Sequence, residues 1–425
     1  MRGVLSLDDA RLSGKRVLFR VDINSPLDPS MGEFLDDTRL RAILPTLRKL
    51  ADAKVVILGH QSRPGREDFT SMEGHAQRIE RILGRQIRFV PDVCGEIAMD
   101  AIKTMQQGEM LMLDNVRGHP QEIGLKRGTP EELVESEIVQ NLSSVCDAYV
   151  TDAFAAAHRN SPSLSGFGTV LPSFAGRLME GEVEALSMAV ESPPQPYVAI
   201  LGGAKCDDSL LVAENLLAAG KVEKIIAVGV VGNLMLWAAG YDIGEVNRVF
   251  IERSLDDSFA ETKELADKIW SEHSDSLILP CDLAIEEDGE RRPISVDKLP
   301  TKYPIYDIGI GTLMAMRPVI MDAGCVLWNG PASYFEKEAF AFGTIEVLNI
   351  CAETSAYTII GGGHTSALVN QRRVAGLFDH NSTGGGACLT MLSGALMPGI
   401  EALYTSSELF GHRLAEFGIA PLGAD

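Results

Sequence analysis

The chain has 425 residues, 45% of them hydrophobic and 23% charged, the balance of a globular protein of two or three domains. A formal net charge of −21 argues against a nucleic-acid binder, and no apolar run approaches the roughly 18 residues of a membrane-spanning helix. The N-terminus lacks the apolar core of a signal peptide, and seven scattered cysteines without a C-x-x-C pair argue against a disulfide framework or a zinc site, so a reducing cytoplasm is expected.

Short aliphatic runs recur along the chain: R-V-L-F-R-V-D (16–22), K-V-V-I-L-G-H (54–60), M-L-M-L-D-N (110–115), A-Y-V-T-D (148–152), Y-V-A-I-L-G-G (197–203), K-I-I-A-V-G (224–229), C-V-L-W-N-G (325–330) and Y-T-I-I-G-G (357–362). Runs of this kind suit strands buried on both faces, as in a parallel sheet. Helical patterns lie between them at 38–50 and 131–142, and an amphipathic helix is predicted over 177–190. The alternation predicts an α/β protein with parallel sheets. Three prolines in 193–196 make a stiff connector and mark a boundary between two halves.

Ligands of such sheets bind just past the carboxyl ends of strands. In the first half those positions hold Asp22, Asn24, His60, Arg63, Asn115, Arg117 and Asp152, with Arg39 in a helix start and His158-Arg159 further on. Residues 1–179 carry 22 Lys+Arg against 24 Asp+Glu, whereas residues 180–425 carry 16 against 35, so the cations gather in the first half. A single arginine reads as a solvated surface charge. Four of them near strand ends, with a histidine and an amide, suit a small phosphorylated acid, because guanidinium grips carboxylate and phosphate in a fork.

The second half offers glycines instead. L-G-G-A-K (201–205) closes a strand on a lysine, and triple glycines stand at 361–363 and 384–386. Their N–H groups, opening a helix, can ring a phosphate. None of these is a G-x-x-x-x-G-K-[ST] loop, and G-x-G-x-x-G is absent from any suitable context. Glu336 is a candidate for a ribose hydroxyl, with a surface helix residue as the plainer reading. His119 and His158 have no carboxylate at ligand spacing, which predicts structural or solvent-facing roles and leaves metal ligands unassigned.

Taken together and in order, R-V-L-F-R-V-D-I-N-S-P-L, D-D-T-R-L-R-A-I-L-P-T-L, G-H-Q-S-R-P, D-N-V-R, T-D-A-F-A-A-A-H-R, L-G-G-A-K, W-N-G-P, F-E-K-E-A-F-A-F-G-T, I-I-G-G-G-H-T and S-T-G-G-G-A resemble the phosphoglycerate kinase family over nearly the whole length. The resemblance implies two Rossmann-like lobes joined by a helix and hinge: a phosphoglycerate lobe (1–175), a helix and linker (176–195), a nucleotide lobe (196–390) and a segment returning toward the first lobe (391–425). It implies reversible phosphoryl transfer between 1,3-bisphosphoglycerate with ADP and 3-phosphoglycerate with ATP, with Mg2+ accompanying the nucleotide. Nucleic acid and membrane are not expected partners, and the expected state is a monomer, with a dimer as the alternative. By motif, Asp22, Asn24, Arg39, His60, Arg63, Arg117 and Arg159 would hold phosphoglycerate. Gly203, Ala204, Lys205, Ser209, Gly229, Asn329, Pro331, Glu336, Gly361, Gly362, Gly363, His364 and Thr365 would line the nucleotide site. Arg39, Lys205, Gly363, Gly385 and Gly386 would stabilise the phosphoryl group in flight, and 384–386 would also neighbour the hinge.

Three positions depart from the family's commonest form. Asp208-Ser209 stands for D-K, His364 for the aspartate of G-G-G-D, and A-S-Y follows W-N-G-P. The departures look like a trait of archaeal-type members. They bear on metal handling, and they keep a kinase with another donor or acceptor and a non-catalytic nucleotide sensor as competing readings. A nicotinamide dehydrogenase is disfavoured by the missing dinucleotide turn.

Overall fold

The computed structural model describes residues 3–28 and 31–422. The chain divides into two compact units, Met1–Glu184 with Leu396–Asp425, and Ala185–Ala395.

The first unit is built on six strands in the order Arg88–Val90, Met110–Leu113, Lys54–Leu58, Arg16–Arg20, Ala148–Thr151 and Ser173–Ala175, every pair parallel. Alternate residues of its central strands enter different cores. Val17, Phe19, Val55 and Ile57 pack on one face, and Leu18, Val56 and Leu58 on the other. Both faces are dry, which is why these strands read as continuous apolar runs. The strand order reverses between Arg16–Arg20 and Ala148–Thr151, the switch point at which such sheets open a ligand crevice.

Two predicted helices are each divided. The 38–50 pattern forms Thr38–Ala42 and Leu44–Lys49, because Pro45 has no N–H to continue the ladder. The 131–142 pattern forms Pro130–Val134 and Glu137–Val145, because the Ser136 side chain accepts the Val139 N–H and starts a new helix. The last segment completes this unit. Helix Pro398–Phe410 contributes Ser407, whose hydroxyl accepts Leu5 N–H at 2.8 Å, and Ser406, which accepts Ser173 N–H at 2.8 Å. Strand Ala420–Pro421 pairs antiparallel with Ala10–Arg11, and Leu414 and Ile419 join the core.

The second unit has a six-stranded parallel sheet in the order Leu277–Ile278, Lys224–Ala227, Tyr197–Leu201, Cys325–Asn329, Tyr357–Gly361 and His380–Asn381. Its switch point falls between Tyr197–Leu201 and Cys325–Asn329. A three-stranded antiparallel sheet, Glu290–Ser295, Asp282–Glu287 and Ile305–Ile308, was not anticipated from the sequence. Its outer strand is polar and largely exposed, so it shows little apolar signal; the Asp288-Gly289 turn, with φ of 51° and 82°, was its mark. Helix Arg177–Glu191 runs across the division between the units and stops before Pro193. Among the described residues no helix is long and apolar enough to cross a membrane.

Candidate functional site: a guanidinium cluster and a glycine-loop switch point

The first unit gathers its charged side chains at the carboxyl edge of the sheet. Asp22, buried just past Arg16–Arg20, accepts Arg39 Nη1–H at 2.7 Å and Asn24 N–H at 3.2 Å. Burial alone would favour its neutral acid. The charges of Arg39 and Arg20 and the Asn24 N–H outweigh burial and hold the carboxyl well below the usual carboxylate range. His60 is itself buried, and burial, then the guanidiniums of Arg20, Arg117 and Arg159, overcome the pull of Asp22 and push its pKa well below the ordinary imidazole value. A neutral His60 lends Asp22 no charge, so the carboxylate rests on Arg39 and Arg20. Arg117 is pushed down to about 10, by burial first and then by Arg159 and Arg20. Arg63 is exposed, and its charge reaches Arg159, which is exposed as well. The predicted set of Asp22, Arg39, His60, Arg117 and Arg159 thus forms one electrostatically connected group, which Arg63 joins through Arg159. Several guanidiniums around one carboxylate leave an excess of positive charge suited to an anion.

Asn24 serves the loop: its Oδ1 accepts Ser62 N–H at 2.8 Å. Ser62 sits at φ 55°, a strained conformation for serine, and its carbonyl accepts Arg117 Nη1–H at 2.6 Å. Gln61 and Asn115 hold the loops around this cluster. Gln61 exchanges two hydrogen bonds with the Ser25 backbone, each 3.0 Å, and Asn115 Nδ2 donates to Gln61 and Thr70 carbonyls at 2.8 Å. They tie three strand-end loops into one frame. Sequence reasoning missed Arg20 because it closes an apolar strand as part of it, and Glu122 because it sits outside the strand ends.

In the second unit the predicted glycines fall into two groups. A Cβ on Gly202 would meet the Pro331 carbonyl at 2.5 Å, and one on Gly229 would meet it at 2.6 Å. Gly203 N–H donates to that same carbonyl at 2.8 Å, with φ at 80°. A Cβ on Gly361 would meet Asn329 Oδ1 at 2.8 Å, and one on Gly362 would meet it at 3.1 Å. Gly203, Gly229, Pro331, Gly361 and Gly362 therefore form a tightly packed backbone at the switch point. Thr365, fully buried, ties this knot by accepting Gly330 N–H at 3.0 Å. Gly363, Gly385 and Gly386 differ: a Cβ there would meet nothing within 4 Å. Their openness is not a packing requirement. Gly363 opens helix Gly363–Gln371, and Gly386 opens Gly386–Leu392.

Ala204, Lys205 and His364 are exposed, and Lys205 Nζ lies 4.0 Å from Asp208 Oδ2. Ser209 Oγ and Asn329 Oδ1 are buried without a hydrogen-bond partner, an arrangement that native interiors avoid. Glu336 is exposed in the loop before Glu338–Phe340 and lies outside any helix.

His119 requires a correction. Its Nε2 is 3.4 Å from Glu137 Oε2, a carboxylate partner the linear spacing hid, and with Cys94 Sγ the three donor atoms lie within 4.8 Å of one another. His119 Nδ1 accepts Gln121 N–H at 3.4 Å as a helix cap, which commits Nε2 to its proton and opposes a metal there.

One doubly wound α/β unit gathers guanidiniums around a buried aspartate, the other folds glycine loops about its switch point, and such features suit an anionic ligand in the first and a phosphate-bearing one in the second. The family model for phosphoglycerate kinase matches residues 7–395. The chain is 43% identical over 400 residues to phosphoglycerate kinase from Methanothermus fervidus, covering 94% of this chain and 96% of that protein. It is 41% identical to the Methanobacterium bryantii enzyme over the same share of each. A crystal structure of phosphoglycerate kinase from Pyrococcus horikoshii superposes with a TM-score of 0.87 at 37% identity, covering 96% of this chain and 100% of that one. The chain belongs to the phosphoglycerate kinase family. The resemblance seen in the sequence therefore holds, as does the expected α/β architecture of two parallel sheets.

Proposed function

We propose that the enzyme reversibly transfers a phosphoryl group between 1,3-bisphosphoglycerate with ADP and 3-phosphoglycerate with ATP, in glycolysis and gluconeogenesis. The observation that carries this reading is the cluster of Arg39, Arg63, Arg117 and Arg159 with neutral His60 around a buried, ionised Asp22. The guanidiniums suit the phosphate and carboxylate of phosphoglycerate, and Asp22 and Asn24 suit its hydroxyl.

In the direction of ATP consumption, a carboxylate oxygen of phosphoglycerate attacks the γ-phosphorus. The new O–P bond forms as the bond to the bridging oxygen breaks, and ADP leaves with that electron pair. A carboxylate nucleophile carries no proton, so no general base is required. The protein's work is in-line placement and charge stabilisation. Arg39, Lys205 and the N–H groups of Gly363, Gly385 and Gly386 are the preorganised donors for the charge on the transferring group. Closure of the two units before transfer would exclude water.

Mg2+ bound to the nucleotide would neutralise phosphate charge. Asp208 and the unpartnered Asn329 Oδ1 would offer that ion oxygen donors, with water and phosphate completing its shell. Ser209, in helix Cys206–Ala218, and Thr365, in helix Gly363–Gln371, would support the nucleotide site, and Glu336 would take a ribose hydroxyl. All seven cysteines are free and six are buried, which supports the expectation of a reducing cytoplasm; a monomer is the expected state.

The test follows 1,3-bisphosphoglycerate formation from 3-phosphoglycerate and MgATP through a coupled NADH-consuming dehydrogenase. Turnover that falls at least about a hundredfold in Lys205→Ala and Arg39→Ala is expected from losing one charge in a preorganised site. A wild-type protein that binds MgADP but does not turn over would move the reading to a sensor or to another acceptor.

A further inference from the structure

Beside the guanidinium cluster lies a buried carboxylate that the mechanism above does not use. Glu122 is 6% exposed, on the short helix Pro120–Gly124. Its Oε1 accepts Ser161 Oγ–H at 2.8 Å and Ser163 Oγ–H at 2.6 Å, and its Oε2 accepts Ser163 N–H at 3.0 Å. Ser163 Oγ has then spent its only proton, so its remaining lone pairs accept Arg20 Nε–H, at 2.9 Å. Arg20 is 1% exposed, and its other contacts are Nη1 to the Val21 carbonyl and Nη2 to His60 Nδ1, the latter at 3.2 Å.

The end of this chain has chemical content. Hydrogens on an imidazole are usually ambiguous. Here the partner is a guanidinium, which has five donors, no acceptor and no accessible neutral form. Nδ1 must therefore accept, and in a neutral ring the proton sits on Nε2. Burial and three nearby guanidiniums keep His60 neutral, so this single tautomer is the state of the ring. A buried Arg20 in turn needs counter-charge: Asp22 lies within electrostatic reach, and Glu122 adds to it through one serine rather than by direct contact.

We propose that Glu122 is a positioning residue for the acceptor substrate: through Ser163 and Arg20 it fixes His60 as an Nε2–H donor to the anion held by the arginine cluster. The donor role rests on the phosphoglycerate reading above; the tautomer does not. A histidine free to swap tautomers would present a lone pair to an anion part of the time, and repel it. The relay removes that state before the ligand arrives.

Two readouts on the full-length protein test this. The first is nitrogen-15 NMR of histidine-labelled free enzyme, with the His60 signal assigned by its absence in His60→Gln. Wild type is expected to show protonated Nε2 and bare Nδ1, and Glu122→Gln and Ser163→Ala are expected to show a mixture. The second is steady-state kinetics. Each variant is expected to raise the KM for 3-phosphoglycerate about tenfold, the range of one hydrogen bond to a charged group, and by more than it lowers kcat. The double variant is expected to be no worse than the poorer single, because both act on one chain. If Glu122→Gln does not fold, Ser163→Ala decides, since it leaves the carboxylate its Ser161 and backbone contacts. A wild-type ring protonated on Nδ1, an unchanged tautomer in the variants, or additive effects on KM would overturn the relay. Absent turnover in wild type, with the tautomer shift intact, would instead overturn the phosphoglycerate reading alone.

Discussion

His364 stands where most relatives of this fold were expected to carry an aspartate, and it sits exposed in the first turn of the helix that begins at Gly363. An imidazole there can donate to a phosphate oxygen but is a poor ligand for a hard cation such as Mg2+. His364→Ala is expected to weaken MgADP binding by about tenfold, the loss of one hydrogen bond to a charged group. Calorimetry with MgADP checks it, and unchanged affinity and turnover would remove His364 from the site. At this scale the arginines were legible because Arg63 and Arg117 follow strands whose apolar runs are unmistakable. Arg20 was not. It occupies the last position of its strand, among residues buried on both faces, and only its bonds to Ser163 and His60 reveal why a guanidinium is tolerated there.

Among the elements, the glycine loops separate folding need from chemical use. Gly229 has φ of 60° and would drive a Cβ to 2.6 Å from the Pro331 carbonyl, so Gly229→Ala is expected to cost about 1–3 kcal/mol of stability and to lower the melting temperature. Gly386 has open space and begins a helix. Gly386→Ala is expected to leave melting unchanged while lowering kcat at least tenfold, through the methyl group set where N–H groups would meet phosphate. Equal melting of both variants would remove the distinction. The helix Arg177–Glu191 carries a second, titrating feature. Asp152 Oδ1 accepts the N–H groups of Leu178 at 3.0 Å and Met179 at 3.2 Å, yet burial pushes its carboxyl up to about 7. The folded protein then binds this proton more tightly than the unfolded chain. Stability from this group is present below the ordinary carboxylate pKa, is lost as pH rises toward 7, and is level above it. Asp152→Asn keeps an accepting oxygen without the charge. Chemical denaturation at pH 5 and pH 7.5 is expected to show a fall of up to a few kcal/mol in wild type and a flatter response in the variant.

For the whole molecule, the family model ends at residue 395, but the first unit does not. Met397, Ile400, Leu403, Phe410, Leu414 and Ile419 are all buried. At about 1.5–3 kcal/mol each their burial is worth on the order of 10 kcal/mol, an upper figure that is still comparable to the whole stability of a domain. A chain ending at Ala395 is expected to lose the folded first unit and 3-phosphoglycerate binding, and to keep a cooperative melting transition from the second; two intact transitions would refute this. The sequence by itself determined the α/β class, the eight strong strands, the two-part organisation and the strand-end arginines, because period, apolar continuity and chain order are local signals. Only the tertiary structure decided which residues support them. Glu122 reaches Arg20 across 102 positions through Ser163, His119 finds Glu137 across a helix start, and the glycines at 202, 229 and 361 are set by groups remote in sequence. Burial and partner choice are properties of chain segments brought together by the sheet, and no window of neighbouring residues contains them.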